Sequence, residues 1–226
     1  DIQAGGLHNA IPREAHAVVA VPANRLEALA SDLQEYGQRV KDEFSVTEPD
    51  ATFVAEEVAV PADALTQTQT ERIVKSLLVV HNGIFAMSQD IDDLVETSSN
   101  LANIKREGNQ IVVNTSQRSS VASNLTYMAE VIRAGFELGG AKCVTNEGYP
   151  GWKVNPKSEI VKVSVDSYKR LFNKEPKVRA IHAGLECGLF SEKYPNLDMV
   201  SFGPTLRGVH SPDERLLIPT VQLVWD

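Results

Sequence analysis

The sequence is poor in cysteine and has no long apolar run. Only Cys143 and Cys187 occur among its 226 residues, and they lie far apart in the sequence. Two cysteines exclude the disulfide framework of a small secreted protein and favour a reducing compartment. Apolar stretches such as residues 77–80 are far shorter than the about 20 residues that span a bilayer. We therefore expect a cytoplasmic protein that does not enter the membrane.

The sequence also has no excess of positive charge. Its 22 Lys and Arg residues are outnumbered by 30 Asp and Glu residues, which gives a net charge of -8. A nucleic-acid-binding protein usually carries a basic stripe, and none is present here, so we expect no nucleic-acid partner. The chain begins with Asp1 rather than Met, so the sequence leaves open whether a signal peptide was removed.

Apolar periodicity predicts a mixture of helices and antiparallel strands in the front three quarters of the chain. Residues 26–44 and 121–136 carry apolar side chains at helical spacing, whereas residues 110–118 alternate between two faces. We predict strands at 16–21, 52–60, 94–104, 110–118 and 141–145, and helices at 24–45, 61–80 and from Ser119 or Ser120 to Gly139.

The order of predicted helices and strands changes in the last quarter of the chain. A cluster of glycine and proline at 148–156 is typical of a linker. Beyond it we predict a helix at 158–173, strands at 178–182 and 199–202, and a helix that begins at Pro219. The expected fold class is therefore α+β in the front part and α/β in the last part.

Three short motifs carry most of the polar side chains that could do chemistry. Residues 5–15 read Gly-Gly-Leu-His-Asn-Ala-Ile-Pro-Arg-Glu-Ala. Residues 182–190 read His-Ala-Gly-Leu-Glu-Cys-Gly-Leu-Phe, and residues 210–214 read His-Ser-Pro-Asp-Glu. Short apolar strands that end in glycine-rich turns with His, Glu and Cys are typical of a hydrolytic site at the edge of a sheet.

Together with Gly-Tyr-Pro-Gly-Trp at 148–152, these motifs resemble the aminoacylhistidine dipeptidases. That family belongs to the two-zinc aminopeptidases, carboxypeptidases and deacylases. The resemblance implies a lid domain over residues 1–153, N-terminally incomplete and with an antiparallel sheet. It implies the C-terminal segment of an α/β catalytic domain over residues 154–226. The family's N-terminal portion, which holds its general base and most metal ligands, has no counterpart here, since the sequence contains no His-x-Asp.

The resemblance implies that His210 is a zinc ligand of the intact enzyme, which would hold two zinc ions. A neutral imidazole suits zinc, but a lone histidine is a weak signal because zinc needs three or four ligands. The pair Glu56 and Glu57 superficially mimics a Glu-Glu pair of the family. We read it as a surface feature, because neighbours on a strand face opposite sides.

Arg118 is the first candidate for substrate binding. The alternation of residues 110–118 places it on a strand face too polar to be core, together with Val112, Asn114 and Ser116. Related enzymes use a lid arginine to hold the free carboxylate of the substrate, and a guanidinium suits this role through two parallel hydrogen bonds. The alternative is a solvated arginine at a strand end.

Three further candidates follow from the motifs. The resemblance implies that Asn9 contacts substrate, although an asparagine that only shapes the turn before Pro12 is the alternative. Gly184 would let the backbone approach the substrate terminus, and Glu186 would bind a substrate group or anchor a metal ligand. A Cys187 nucleophile with His182 as its base is the rival reading, but cysteine is more often a small buried hydrophobe.

The first hypothesis, implied by the resemblance, is a zinc-dependent dipeptidase that hydrolyses Xaa-His-type dipeptides by metal-activated water and forms a homodimer. The second hypothesis is a lid or dimerisation module that has no activity in isolation. Bound zinc and dipeptide hydrolysis, measured on the 226-residue chain, distinguish the two hypotheses.

Overall fold

A computed structural model describes residues 1–89, 91–146, 148, 150–152, 155, 157–180, 182, 186–209 and 213–226. These residues form helices and antiparallel strands, which confirms the mixed fold class. None of the described helices is long and apolar enough to cross a membrane. The elements are β1 (Ile2–Gly5), β2 (Ala15–Ala17), α1 (Leu26–Glu43, preceded by a 3-10 turn at Ala23–Arg25), α2 (Gln67–Val79), β3 (Gly83–Met87), β4 (Val95–Glu107), β5 (Gln110–Ser119), α3 (Ala122–Leu138), α4 (Glu159–Phe172), α5 (Glu186–Lys193), β6 (Leu206–Arg207), β7 (Arg215–Leu216) and α6 (Pro219–Trp225).

The strand β4 organises the five-stranded antiparallel sheet. It pairs with β1 near its C-terminal end, with β3 near its N-terminal end, and with β5. The strand β2 pairs with β1 in the register Ile2 to Ala17. The strands predicted at 94–104 and 110–118 form a tight hairpin, β4 and β5, and Gly108 adopts the positive φ of 59° that its turn requires.

The fold divides into two compact units, each built from three chain segments. Each unit has its own buried apolar residues: Val80, Ala102 and Ile104 in the first, and Met128, Ile132 and Phe136 in the second. The latter three belong to the apolar stripe predicted for α3. The first unit comprises 1–80, 100–116 and 138–141, and the second comprises 81–99, 117–137 and 142–226. The predicted domains, 1–153 and 154–226, remain a prediction.

In the first unit, a glycine in α1 accommodates an aromatic ring. Gly37 is buried, and a β-carbon there would lie 2.6 Å from Cδ1 of Phe53. The ring of Phe53 also meets the edge of Tyr36 at 5.7 Å. The predicted strand at 52–60 is wrong, since these residues form neither strand nor helix. A strand needs a hydrogen-bonded neighbour, and the apolar side chain of Phe53 is instead packed against a helix.

Helix α2 begins later than predicted because its cap lies at Thr66. The hydroxyl of Thr66 accepts a hydrogen bond from the Gln69 backbone N–H, and the Gln69 side chain accepts one from the Thr66 backbone N–H. This reciprocal box satisfies two donors that a helix start leaves open. Pro61, the predicted start, offers no such partner.

The second unit contains the best-predicted helix, α4. Ser158 caps it by accepting a hydrogen bond from the Val161 N–H, and Asp198 accepts a second one from the Ile160 N–H at 2.9 Å. At the other end Asn173 ends the helix in the left-handed conformation, with φ 51°.

Several strands predicted from sequence are replaced by irregular backbone. Isolated short apolar runs predict strands poorly, because pairing depends on a neighbour that can be distant in sequence. The described residues within 141–145, 178–182 and 199–202 form no strand, whereas β1, β3, β6 and β7 were not predicted, and β2 is shorter than its predicted 16–21. Helix α6 begins at Pro219, as predicted.

One glycine in the described part of the predicted linker, Gly151, lies close against backbone, as does Gly188 further along the chain. A β-carbon on Gly151 would collide with the carbonyl oxygen of Ser119, and one on Gly188 would collide with the carbonyl of Pro150. These residues all belong to the second unit. Gly151 and Gly188 therefore allow close backbone approach, whereas Gly148 has open space around it.

Candidate functional site

The N-terminal end of β4 and the C-terminal end of β5 form a polar strand pair in the second unit. Thr97 and Ser119, both buried, share a hydrogen bond of 2.8 Å between their hydroxyls. Two residues away, the Gln117 amide donates to the hydroxyl of Ser99 at 3.2 Å. These two contacts bracket Ser98 and Arg118. The two residues therefore lie across from each other, and their side chains share the opposite face of the strand pair.

A histidine distant in sequence rests on this face. Oγ of Ser98 and Nε2 of His182 share a hydrogen bond of 2.7 Å, across 84 residues of sequence. Partial burial lowers the pKa of His182 below its ordinary value, and the positive charge of Arg118 lowers it further. A backbone hydrogen bond with Val95 acts in the opposite direction. Burial and the charge of Arg118 therefore both favour the neutral form of the ring.

The arrangement is suited to binding an anion. Arg118 is itself partly buried, so some water is excluded from its side chain. A guanidinium binds a carboxylate through paired hydrogen bonds, and reduced hydration strengthens them. In its neutral form, which this environment favours, His182 does not compete with the Arg118 guanidinium for the anion. The structure thus brings Arg118 together with Ser98 and His182.

In the first unit, two asparagines of β4 hold the turn that carries Asn9. The amide of Asn103 donates to the Gly6 carbonyl at 2.8 Å, and the amide of Asn100 donates to the Ala10 carbonyl, also at 2.8 Å. Asn9 lies between these two points and is exposed. Asn103 is in turn fixed by Asn114, which donates to its side-chain oxygen at 2.7 Å. The turn is therefore anchored on both sides while the Asn9 side chain faces solvent.

The remaining sequence candidates have different outcomes. Glu186, in the motif at 182–190, begins α5 and is exposed. A carboxylate there is favoured by the partial positive charge of the helix N-terminus. Gly184 and His210 lie outside the described residues, so the roles assigned to them remain predictions.

The described residues do not by themselves form a metal centre. No group of three His, Cys, Asp or Glu side chains in the described ranges is placed to hold a metal ion. Glu56 and Glu57 are both exposed in irregular backbone, in agreement with the surface reading. Because zinc requires three or four ligands, the described donors fit no zinc ion without further residues.

The contacts of His182 also bear on the rival reading with a cysteine nucleophile. Its ring is hydrogen-bonded to Ser98 and to the backbone of Val95. A base for a thiol would need one ring nitrogen available to that thiol. Cys187 lies in α5, and both cysteines are free and partly buried. These contacts favour a structural role for the imidazole.

The chain matches no protein-family model. It is 36% identical over 225 residues to the cytosol non-specific dipeptidase of Escherichia coli strain K12. This alignment covers 100% of this chain and 46% of that protein. It also superposes on the crystal structure of aminoacylhistidine dipeptidase from Vibrio alginolyticus with a TM-score of 0.87 and 41% identity, again over 100% of this chain and 46% of the other. Over its whole length, the chain is homologous to these dipeptidases. It spans about half the length of the relatives that it matches.

Sequence reasoning missed the partnership of Ser98 and His182. The sequence offered one signal for Ser98, a run of three small polar residues, Thr97 to Ser99, inside a predicted strand. It offered none for the pairing, because no local pattern connects residues 84 positions apart.

Proposed function

We propose that this chain is part of a zinc-dependent dipeptidase and that it supplies the carboxylate-binding arginine of that enzyme. The observation that carries the proposal is the homology to two dipeptidases along the entire chain, at 36% and 41% identity. A substrate with a free C-terminal carboxylate requires a fixed cation, and Arg118 lies on a polar, partly buried strand face. The preferred substrates are dipeptides that end in histidine.

In this proposal the chain contributes one metal ligand, His210, and the other ligands lie in residues that this sequence does not contain. Two zinc ions would polarise the scissile carbonyl and lower the pKa of a bound water. No residue of this chain is assigned as the general base. Apart from His210, we assign this chain the binding and orientation of the substrate.

Each substrate-binding residue has a separate task. Arg118 binds the C-terminal carboxylate. Asn9, presented on its anchored turn, orients the peptide group through its donor and acceptor. Gly184 gives the backbone access to the substrate terminus, and Glu186 binds a polar group of the substrate or supports a ligand.

Replacing Arg118 tests the proposal. In the complete enzyme, Arg118→Lys keeps the charge but loses the planar fork, so we expect KM to rise on the order of ten- to a hundredfold. The zinc content should stay constant, because Arg118 is not a metal ligand. Steady-state kinetics and metal analysis of the same preparation measure both quantities.

A matched control is Arg39→Lys on α1, since Arg39 is exposed and belongs to the first unit. It should leave KM unchanged. An unchanged KM in Arg118→Lys would remove Arg118 from the substrate site.

The proposal includes the domain roles and the assembly. Residues 1–153 would form most of a lid domain and residues 154–226 the returning segment of the catalytic domain. The lid would form the contacts of a homodimer. The name of the Escherichia coli relative places that protein in the cytosol, and we propose the same compartment here.

The second candidate, a module without activity in isolation, concerns the 226-residue polypeptide alone. It is favoured by coverage, since the chain spans 46% of each of the two relatives. Dipeptide hydrolysis by this polypeptide, without any added chain, would contradict it.

A further inference from the structure

We propose that His182 and Ser98 position the guanidinium of Arg118, so that the three side chains act as one carboxylate-recognition unit. This inference rests on the proposed function, in which Arg118 binds the substrate carboxylate. His182 is a positioning residue here, since no contact with the reacting atoms is required of it.

The first argument is the register of the strand pair. Contacts between Thr97 and Ser119 and between Gln117 and Ser99 place Ser98 across from Arg118 on one face. A further backbone hydrogen bond, from the Ser120 N–H to the Glu96 carbonyl at 3.1 Å, continues the same register. Directly opposite side chains in an antiparallel pair lie about 5 Å apart at their β-carbons. A group bound to Ser98 is therefore a neighbour of Arg118.

The second argument is the way the imidazole is anchored. A neutral imidazole has one donor and one acceptor nitrogen. The Ser98 hydroxyl at 2.7 Å and the backbone of Val95 give the ring two hydrogen-bond partners on β4. Two anchors on one rigid strand fix both the position and the plane of the ring.

The third argument is electrostatic. The charge of Arg118 lowers the pKa of His182, which means that the two groups interact through space. Had the ring been charged, it would repel the guanidinium and compete for the carboxylate. Glu96 also lies on β4, but its carboxylate accepts hydrogen bonds from Asn124 at 2.6 Å and from Thr97 at 3.1 Å. That carboxylate is already hydrogen-bonded, and Arg118 is the cation that acts on His182.

The geometry gives these three side chains a defined task. A long, flexible arginine loses rotamer entropy when it binds a carboxylate. A rigid ring beside it limits the positions that the guanidinium can adopt before the substrate arrives. Removing the ring or its anchor should therefore weaken the binding of substrates that have a free carboxylate, while the chemical step proceeds at its former rate.

The test uses the complete zinc-loaded enzyme and two substrates, a dipeptide and the same dipeptide as its C-terminal amide. Three variants are compared: Ser98→Ala, His182→Leu and His182→Gln. For the free dipeptide, Ser98→Ala and His182→Leu should raise KM on the order of tenfold at nearly unchanged kcat. For the amide, KM should stay the same. His182→Gln should recover part of the loss, because its amide can still reach Ser98.

A matched serine control is Ser164→Ala on α4, which removes a hydroxyl that donates to the Ile160 carbonyl within its own helix. It should change neither substrate's KM. Equal losses for dipeptide and amide in the His182 variants, or a fall in kcat alone, would overturn the inference in favour of a merely structural histidine.

A second measurement does not depend on activity. In the 226-residue chain, NMR titration of His182 should show a higher pKa in Arg118→Met than in the unaltered protein. An unchanged pKa would mean that the two groups do not interact and would also overturn the inference.

The two proposals fail separately. If Arg118→Lys leaves KM unchanged, the carboxylate site itself is wrong; if Arg118→Lys raises KM but the Ser98 and His182 variants do not, only the positioning unit is wrong.

Discussion

At the scale of a single residue, the surroundings of His182 lower its pKa in the folded protein. Burial and the cation of Arg118 both disfavour its charged form. The unfolded chain lacks both influences, so there the imidazole titrates near its ordinary pKa of about 6.5. The unfolded state consequently binds a proton at a higher pH than the folded state does.

This difference predicts the direction of a pH effect on stability. The contribution of His182 is fully present above the unfolded pKa and is lost as the pH falls toward the lower, folded pKa. We expect the free energy of unfolding to fall more between pH 7.5 and pH 5, two values chosen on either side of about 6.5, in the unaltered chain than in His182→Gln. Urea unfolding at the two pH values measures this difference. The reverse order would mean that the folded protein favours the charged ring.

Candidate residues could be chosen from the sequence only where a local pattern pointed to them. The alternation of residues 110–118 predicted a polar face for Arg118, which is partly buried in the structure. The resemblance supplied Asn9, and the structure adds that Asn100 and Asn103 hold its turn. Neither asparagine could be recognised in advance, because their partners lie at least 90 positions away.

At the scale of the element, Gly37 and Phe53 show how a tertiary contact overrides helix propensity. Alanine is favoured over glycine inside a helix by about 1 kcal/mol. Here the added β-carbon would come within 2.6 Å of the Phe53 ring, so the ring would have to move. The steric cost and the propensity gain oppose each other.

A double-mutant cycle separates the two effects. We expect Gly37→Ala to give no stabilisation in the presence of Phe53, but to stabilise by about 1 kcal/mol in a Phe53→Ala background. Chemical denaturation of the four proteins gives the coupling energy. An equal effect of Gly37→Ala in both backgrounds would show that Phe53 does not rest on this helix.

Element boundaries were predictable where their caps are local. Helix α4 carries its own start and stop in Ser158 and Asn173, and its predicted range was confirmed. The short strands β1 and β3 owe their existence to pairing with β4. Their sequences carry no strong alternation, so a strand there could be recognised only once the partner was known.

At the scale of the whole molecule, the donor set predicts how the 226-residue chain responds to metal. The resemblance assigns it one ligand, His210, and the described residues add no cluster. We expect neither zinc nor a chelator to move the thermal unfolding midpoint of this polypeptide, because one ligand binds zinc too weakly to stabilise the fold.

Differential scanning calorimetry with and without zinc measures this response, and His210→Ala is its control. A clear upward shift with zinc that disappears in His210→Ala would show that this polypeptide completes a site by itself. The same substitution in the complete enzyme should lower the zinc content.

The mixed fold class was predictable because helical and strand periods alternate along the chain. The division into two units was not, because each unit collects three separate segments. Contacts between segments distant in sequence determine that division, and apolar periodicity reports only on neighbours a few residues apart.

The packing of Gly151 and Gly188 has a practical consequence for anyone who works with this chain. Composition alone recommends residues 148–156 as the place to cut the polypeptide, insert a protease site or fuse a reporter. Backbone atoms of Ser119 and Pro150 leave these two glycines no room even for a methyl group. The exposed turn at Gly108 and Asn109 has open space around its glycine and is the better attachment point for a fluorophore or an affinity handle.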